Sequence, residues 1–193
     1  LSILRIKELK NGKNDKMVEA MCLKQGFKVL DCTLGLGTDA IVASFVAGSE
    51  GRVVGLDKST LLAAIVGYGL AHYRTGEEDI DLAMRRIEVI AVDHREFLAR
   101  TSPGSFDIVY FDPMFRRPRY RSPAINAMRE LAAPDPLERE SVEMAAQIAA
   151  RLVVAKETRG SGEHERLGLN ETFGGKYSPV VYGLLEGRGG SRR

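Results

Sequence analysis

The sequence predicts an α/β fold: a mostly parallel seven-stranded sheet, helices on both faces, and an antiparallel last strand. Three observations carry that prediction. Up to about residue 156, apolar stretches of strand length alternate with segments of helical period. The connections between them are short, as expected for strand–helix–strand units that build a parallel sheet. The end of the chain differs, because stretches 167–173 and 177–185 flank Gly174-Gly175-Lys176 and read as an antiparallel hairpin.

The elements follow in order. Residues 1–26 form a helical lead-in, with Asn14 and Asp15 suited to cap a helix to Gln25 and Gly26 to close it. A strand is expected at 27–32, a helix at 38–47, a strand at 52–56, a helix at 59–73 and a strand at 87–92. A short helix at 95–100 leads into the strand 106–111. Further helices start at Ser122-Pro123 and Asp135-Pro136, where a capping side chain precedes a proline that suits the first turn. The second carries Leu137, Val142, Ala145, Ile148 and Ala149 at helical spacing and passes into a strand at 151–156. One domain is therefore expected over 1–186, followed by a disordered glycine- and arginine-rich tail at 187–193. The chain opens at Leu1 rather than Met, so an upstream segment is expected to be missing.

Composition narrows the function. With 193 residues and 44% apolar content, the chain can bury one sizeable core. A formal net charge of +2 gives no bulk attraction to nucleic acid, so any basic surface must be local. The longest nearly unbroken apolar run, 61–71, is far shorter than the roughly 20 residues that cross a bilayer. Cys22 and Cys32 have neither metal-ligand spacing nor disulfide density, so no metal site is expected, and free thiols fit a cytoplasmic protein.

The segment VLDCTLGLGTDA puts Gly35 and Gly37 between a strand and its helix, where glycine permits a tight turn and the helix start offers unpaired N–H groups. It fits the dinucleotide pattern G-x-G-x-x-A, so an NAD-type oxidoreductase is one reading. Asp31, just before the turn, favours another, because a carboxylate repels a pyrophosphate and attracts the cationic end of S-adenosyl-L-methionine. Asp57 ends the next strand, where it can accept ribose hydroxyls from either cofactor, and Asp93 ends the third, where an adenine amine needs an acceptor. His94 can line the same pocket. Singly, each acid reads as a strand-end residue or helix cap. Together they mark the sheet edge where α/β folds bind ligands.

The stretch FDIVYFDPMFRRPRYR ends a buried strand in Asp112-Pro113-Met114-Phe115. An exocyclic amine is a weak nucleophile, and Asp112 with the Pro113 carbonyl can accept its hydrogens while Phe115 stacks on the base and Met114 walls it. Alternatively, the strand simply ends in an Asp-Pro turn with Phe115 in the core. Arg116, Arg117, Arg119 and Arg121, with Tyr120, can meet the surrounding phosphates, unless they form only a solvated charge run. Lys156 and Lys176 are weaker candidates for that surface.

These motifs resemble those of class I S-adenosylmethionine-dependent methyltransferases, and the resemblance implies a Rossmann-like fold. DCTLGLGTDA is similar to their first motif, GLDKS to the second, AVDHREF to the third, and DPMF to a variant of the fourth. The Met of DPMF, the strand ending in Lys156 and the late Gly-Lys hairpin resemble the J-type small-subunit ribosomal RNA guanine methyltransferases. The resemblance implies transfer to a guanine exocyclic amine in 16S ribosomal RNA, with S-adenosyl-L-homocysteine as product. It carries the cofactor roles to Thr38, Asp39, Asp57, Lys58, Asp93, His94 and Asp112, and Thr33, within the first motif, is a further cofactor-site candidate. Two departures stand out: Asp93-His94 replaces a small polar pair, and Ala155-Lys156-Glu157-Thr158 replaces V-K-R-P. Other readings are a methyltransferase for DNA adenine or a protein side-chain amide, and a binding module without turnover.

Overall fold

The computed structural model describes residues 1–113 and 136–190. Seven strands form one sheet in the order β3-β2-β1-β4-β5-β7-β6. The strands β1 (Lys28–Asp31), β2 (Arg52–Asp57), β3 (Ile87–Ala91), β4 (Phe106–Phe111) and β5 (Ala149–Thr158) run parallel. β7 (Val180–Glu186) runs antiparallel to β5 and to β6 (Glu171–Phe173), which gives the expected closing hairpin.

Alternation along the strands sends side chains to two cores. Ile108 and Tyr110 join Val29, Val53 and Val154 on one face, under α1 (Ser2–Lys10), α2 (Lys16–Ala20), α3 (Thr38–Ala47), α4 (Thr60–His72) and α5 (Glu78–Arg85). Val109 and Phe111 join Leu30, Val54 and Val153 on the other, under α6 (His94–Arg100), α7 (Arg139–Ile148) and α8 (Glu163–Leu167). Burying each Ile, Leu or Phe side chain contributes about 1.5–3 kcal/mol before chain entropy is charged.

Three expectations are corrected. The helix foreseen from Asn14 to Gln25 stops at Ala20: Cys22 takes a left-handed conformation (φ 46°), and the Leu23 amide donates back to the Val18 carbonyl, turning Leu23 into the core. α5 and α8 arise where no helix was expected; α5 buries Ile80, Ala83 and Met84 against α3. Residues 187–190, expected to be disordered, lie along the sheet margin. There the amides of Gly187, Arg188 and Gly189 donate to the carbonyls of Arg151, Ala146 and Ala149. A side chain at Gly189 would collide with backbone, its Cβ lying 2.4 Å from the Gly104 nitrogen. The helix expected at Ser122-Pro123 lies outside the described residues.

Candidate active site

The carboxyl ends of β1, β2, β4 and β5 converge, and each delivers a charged residue. β1 ends in Asp31 and turns through Gly35 and Gly37, both in the left-handed region (φ 51° and 71°), into α3. The turn is tied to β2 by the Leu34 amide, which donates to the Leu56 carbonyl, and by the Gly35 amide, 3.3 Å from Asp57 Oδ2. Leu34 itself sits against Gly55 of β2, where a Cβ would come within 2.5 Å of Leu34 Cδ1. Gly55 thus leaves the space in which Leu34 seats the glycine turn, a role not read from the GLDKS motif that contains it.

Asp31 is buried, and its Oδ1 accepts the Thr33 amide at 3.0 Å. Burial, reinforced by the nearby Asp39 and Asp112 carboxylates, lifts its pKa to about 8. Thr33 also accepts the Asp112 amide on Oγ1 at 2.6 Å, stitching the end of β1 to the end of β4. Asp57 accepts the Ser59 amide at 2.9 Å, and burial raises its pKa against that bond and the one from Gly35.

The centre of the cluster is Asp39. Its Oδ2 accepts the Tyr110 hydroxyl at 2.8 Å and the Lys156 ammonium at 3.0 Å, while Oδ1 accepts a short bond from Arg5. Burial pushes this carboxyl up, but Lys156 and Arg5 outweigh it and hold the pKa at about 2. Lys156 Nζ also lies 2.7 Å from Asp112 Oδ2. Burial lifts Asp112 to about 6, with Lys156 pulling down and Asp39 pushing up. Arg5 is anchored in turn by Asp15, at 2.7 and 2.9 Å.

The sequence-predicted residues therefore divide. Asp31, Thr33, Gly35, Gly37, Asp39, Asp57 and Asp112 come together with Pro113 at one sheet edge, and Thr38 opens α3 beside them. Asp93 lies further along that edge, where its carboxylate caps α6 through the Arg95 amide at 2.9 Å and pairs with the Arg95 guanidinium at 2.7 Å. Those bonds hold its pKa well below the usual carboxylate range. Lys58 stands 3.5 Å from the same carboxylate. His94 turns to Ser141 of α7, with Nε2 3.1 Å from Oγ, and its ring meets Phe111 edge-on. Lys156, expected on an RNA-facing surface, is turned inward onto two carboxylates. Lys176 is exposed at the β6–β7 turn, over the Tyr177 ring. Met114, Phe115, Arg116, Arg117, Arg119, Tyr120 and Arg121 lie outside the described residues. Arg5 and Tyr110 were missed: Arg5 belongs to no motif, and Tyr110, though it opens the pattern Y-x-D-P-M-F, reads only as a core residue of β4.

Among the described residues, four carboxyl groups, Asp15, Asp31, Asp39 and Asp112, here face two cations, Arg5 and Lys156. This imbalance suits a cationic ligand such as a sulfonium bearing an ammonium, and repels a pyrophosphate. The residues present fit S-adenosyl-L-methionine better than a dinucleotide. Among the described residues no metal-binding cluster occurs, and no helix is long and apolar enough to cross a membrane.

Comparison with known proteins agrees. The chain is 39% identical over 185 residues to the Bacillus subtilis "Uncharacterized protein YpiP", covering 96% of this chain and 72% of that protein. It is 32% identical over 159 residues to ribosomal RNA small subunit methyltransferase J of Laribacter hongkongensis, covering 79% of this chain and 55% of the relative. The chain thus spans about half the length of that second relative. A crystal structure of the SAM-dependent methyltransferase NGO1261 from Neisseria gonorrhoeae superposes with a TM-score of 0.63 at 21% identity, covering 91% of this chain and 68% of that one, a likeness of fold. Residues 3–165 match the family model described as "Putative SAM-dependent methyltransferase". The chain belongs to this family, and S-adenosyl-L-methionine is its cofactor.

Proposed function

We propose that this methyltransferase acts on the exocyclic amine of a guanine in small-subunit ribosomal RNA, in the cytoplasm. The observation that carries the reading is the Asp112-Pro113 turn at the end of β4, hydrogen-bonded through Thr33 to the β1 turn that precedes the cofactor helix. The ribosomal target is supported by the 32% identity to ribosomal RNA small subunit methyltransferase J.

The bound cofactor supplies an electrophilic methyl on sulfur. A guanine amine is a poor nucleophile because its lone pair is delocalised into the ring. Asp112 accepts one of its N–H bonds and the Pro113 carbonyl the other, which aims the nitrogen and spreads the positive charge that develops on it. The amine would surrender a proton as it takes the methyl that the cofactor would supply, and Asp112 or water would receive that proton. Asp31 faces the cationic end of the donor and Asp57 accepts its ribose hydroxyls. Phe115 stacks on the base, and Arg116, Arg117, Arg119 and Arg121 with Lys176 hold the backbone.

The test is transfer of labelled methyl from S-adenosyl-L-methionine to small ribosomal subunits purified from cells lacking the protein, with nucleoside digestion and mass spectrometry. A guanosine methylated on its exocyclic amine is expected. Label in adenine or in protein would move the activity to another planar nitrogen, and intact cofactor binding with no transfer would reject this substrate. Asp112→Ala should abolish transfer while leaving most cofactor binding; undiminished transfer would falsify its role.

A further inference from the structure

We propose that Lys156 is a positioning residue for methyl transfer, bridging Asp39 and Asp112 so that Asp112 stays ionised and fixed as the acceptor of the substrate amine. The inference rests on the reading of Asp112 given above. β4 and β5 pair Tyr110 with Val154 and Phe111 with Ala155, so continuing the register sets Lys156 beside Asp112 on the same sheet face. Its ammonium has three donors; two are committed to carboxylates, at 2.7 and 3.0 Å. An ammonium held in this way, with its side chain only 21% exposed, is poorly disposed to grip a phosphate.

The surroundings explain the need. Asp112 faces Asp31 from β1 and Asp39 from α3, and crowded carboxylates favour protonation. Among the described residues, the cations in the cluster are Lys156 and Arg5, and Arg5 is spent on Asp39 and Asp15. Tyr110 from β4 and Tyr182 from β7 also face it, both buried and neutral, the latter with its pKa pushed up to about 12. Without Lys156, Asp39 and Asp112 would adjoin with no cation between them, and Asp112 would take a proton and lose an acceptor lone pair.

The test reads Asp112 directly in the cofactor-free protein, by carbon-13 NMR of labelled aspartate carboxyls with the resonance assigned from Asp112→Asn. In the parent protein the midpoint is expected near 6. Lys156→Met should raise it by about 1–2 pH units, Lys156→Arg should hold it near the parent value, and Asp39→Asn should lower it. The acidic limb of the kcat profile on ribosomal subunits should follow the same three directions, with Lys156→Arg restoring turnover. An unmoved midpoint in Lys156→Met, or the same direction of shift in Lys156→Met and Asp39→Asn, overturns the proposal. If Lys156→Met does not fold, a midpoint that fails to fall in Asp39→Asn overturns it instead. No methyl transfer to ribosomal RNA would remove that substrate while the titration still decides the role of Lys156.

Discussion

Replacing Asp39 with Ala tests whether the buried network holds the protein together as well as shaping its site. The substitution removes the acceptor of the Tyr110 hydroxyl and a counter-charge from each of Arg5 and Lys156. Breaking a buried ion pair by deleting one partner costs about 3–5 kcal/mol, and losing the hydroxyl's acceptor about 1 kcal/mol more. Arg5 keeps Asp15 and Lys156 keeps Asp112, so neither cation is orphaned and the loss should fall to about 2–4 kcal/mol. Unfolding entropy for 193 residues is about 0.4 kcal/mol per degree, so the Tm should drop by about 5–10 °C. Urea unfolding followed by far-UV circular dichroism would measure it, with an unchanged m-value showing that the native state stays compact. The pH dependence has a definite sign. Asp39 is held at about 2 when folded, below its unfolded value, so its contribution is complete above about pH 4 and fades as the pH falls towards 2. A loss under 1 kcal/mol at pH 7, or a loss that is undiminished at pH 2, would refute the account.

Asp31 carries the opposite sign: its folded pKa of about 8 lies above the unfolded one, so it destabilises increasingly as pH rises from about 4 to 8. Asp31→Asn should therefore stabilise the cofactor-free protein by on the order of 2 kcal/mol at pH 8 and little at pH 4, and equal gains at both in urea unfolding would count against this. If Asp31 meets the donor's cationic end, affinity for S-adenosyl-L-methionine measured by calorimetry should rise between pH 6 and 9 more steeply than in Asp31→Asn; parallel slopes would dismiss the contact. Gly55→Ala should cost about 1–3 kcal/mol, because its Cβ would lie 2.5 Å from Leu34 Cδ1, and pairing it with Leu34→Ala should cost less than the two single losses added. Strict additivity in a double-mutant cycle would show that the contact is not the cause.

How far the sequence speaks depends on the range over which each feature is determined. α3 and β4 were read at both ends, since Gly37 and Gly48 flank the helix and Asp-Pro stops the strand within a few residues of the apolar pattern itself. The spacing of Ile80, Ala83, Met84 and Ile87 also carried a helix and was passed over, because four acids between Glu77 and Asp81 look like a solvated loop until Ile80 is seen packed into the core. No local signal marks Cys22 for a left-handed turn. The site divides in the same way. The acids at strand ends were legible because each is placed by its own strand. Arg5, Tyr110 and Lys156 reach Asp39 across 34, 71 and 117 residues of chain, and only the packing of α1 on α3 and the order and register of the strands create those contacts. Lys156 was read as a surface cation for that reason: a lysine at a strand end looks solvated until its neighbours are known, and its neighbours come from α3 and β4. The first helix gains a function by the same logic. Arg5 anchors Asp39, Asp39 holds Lys156, and Lys156 holds Asp112, so a segment that reads as a lead-in supports the residue proposed to accept the substrate amine.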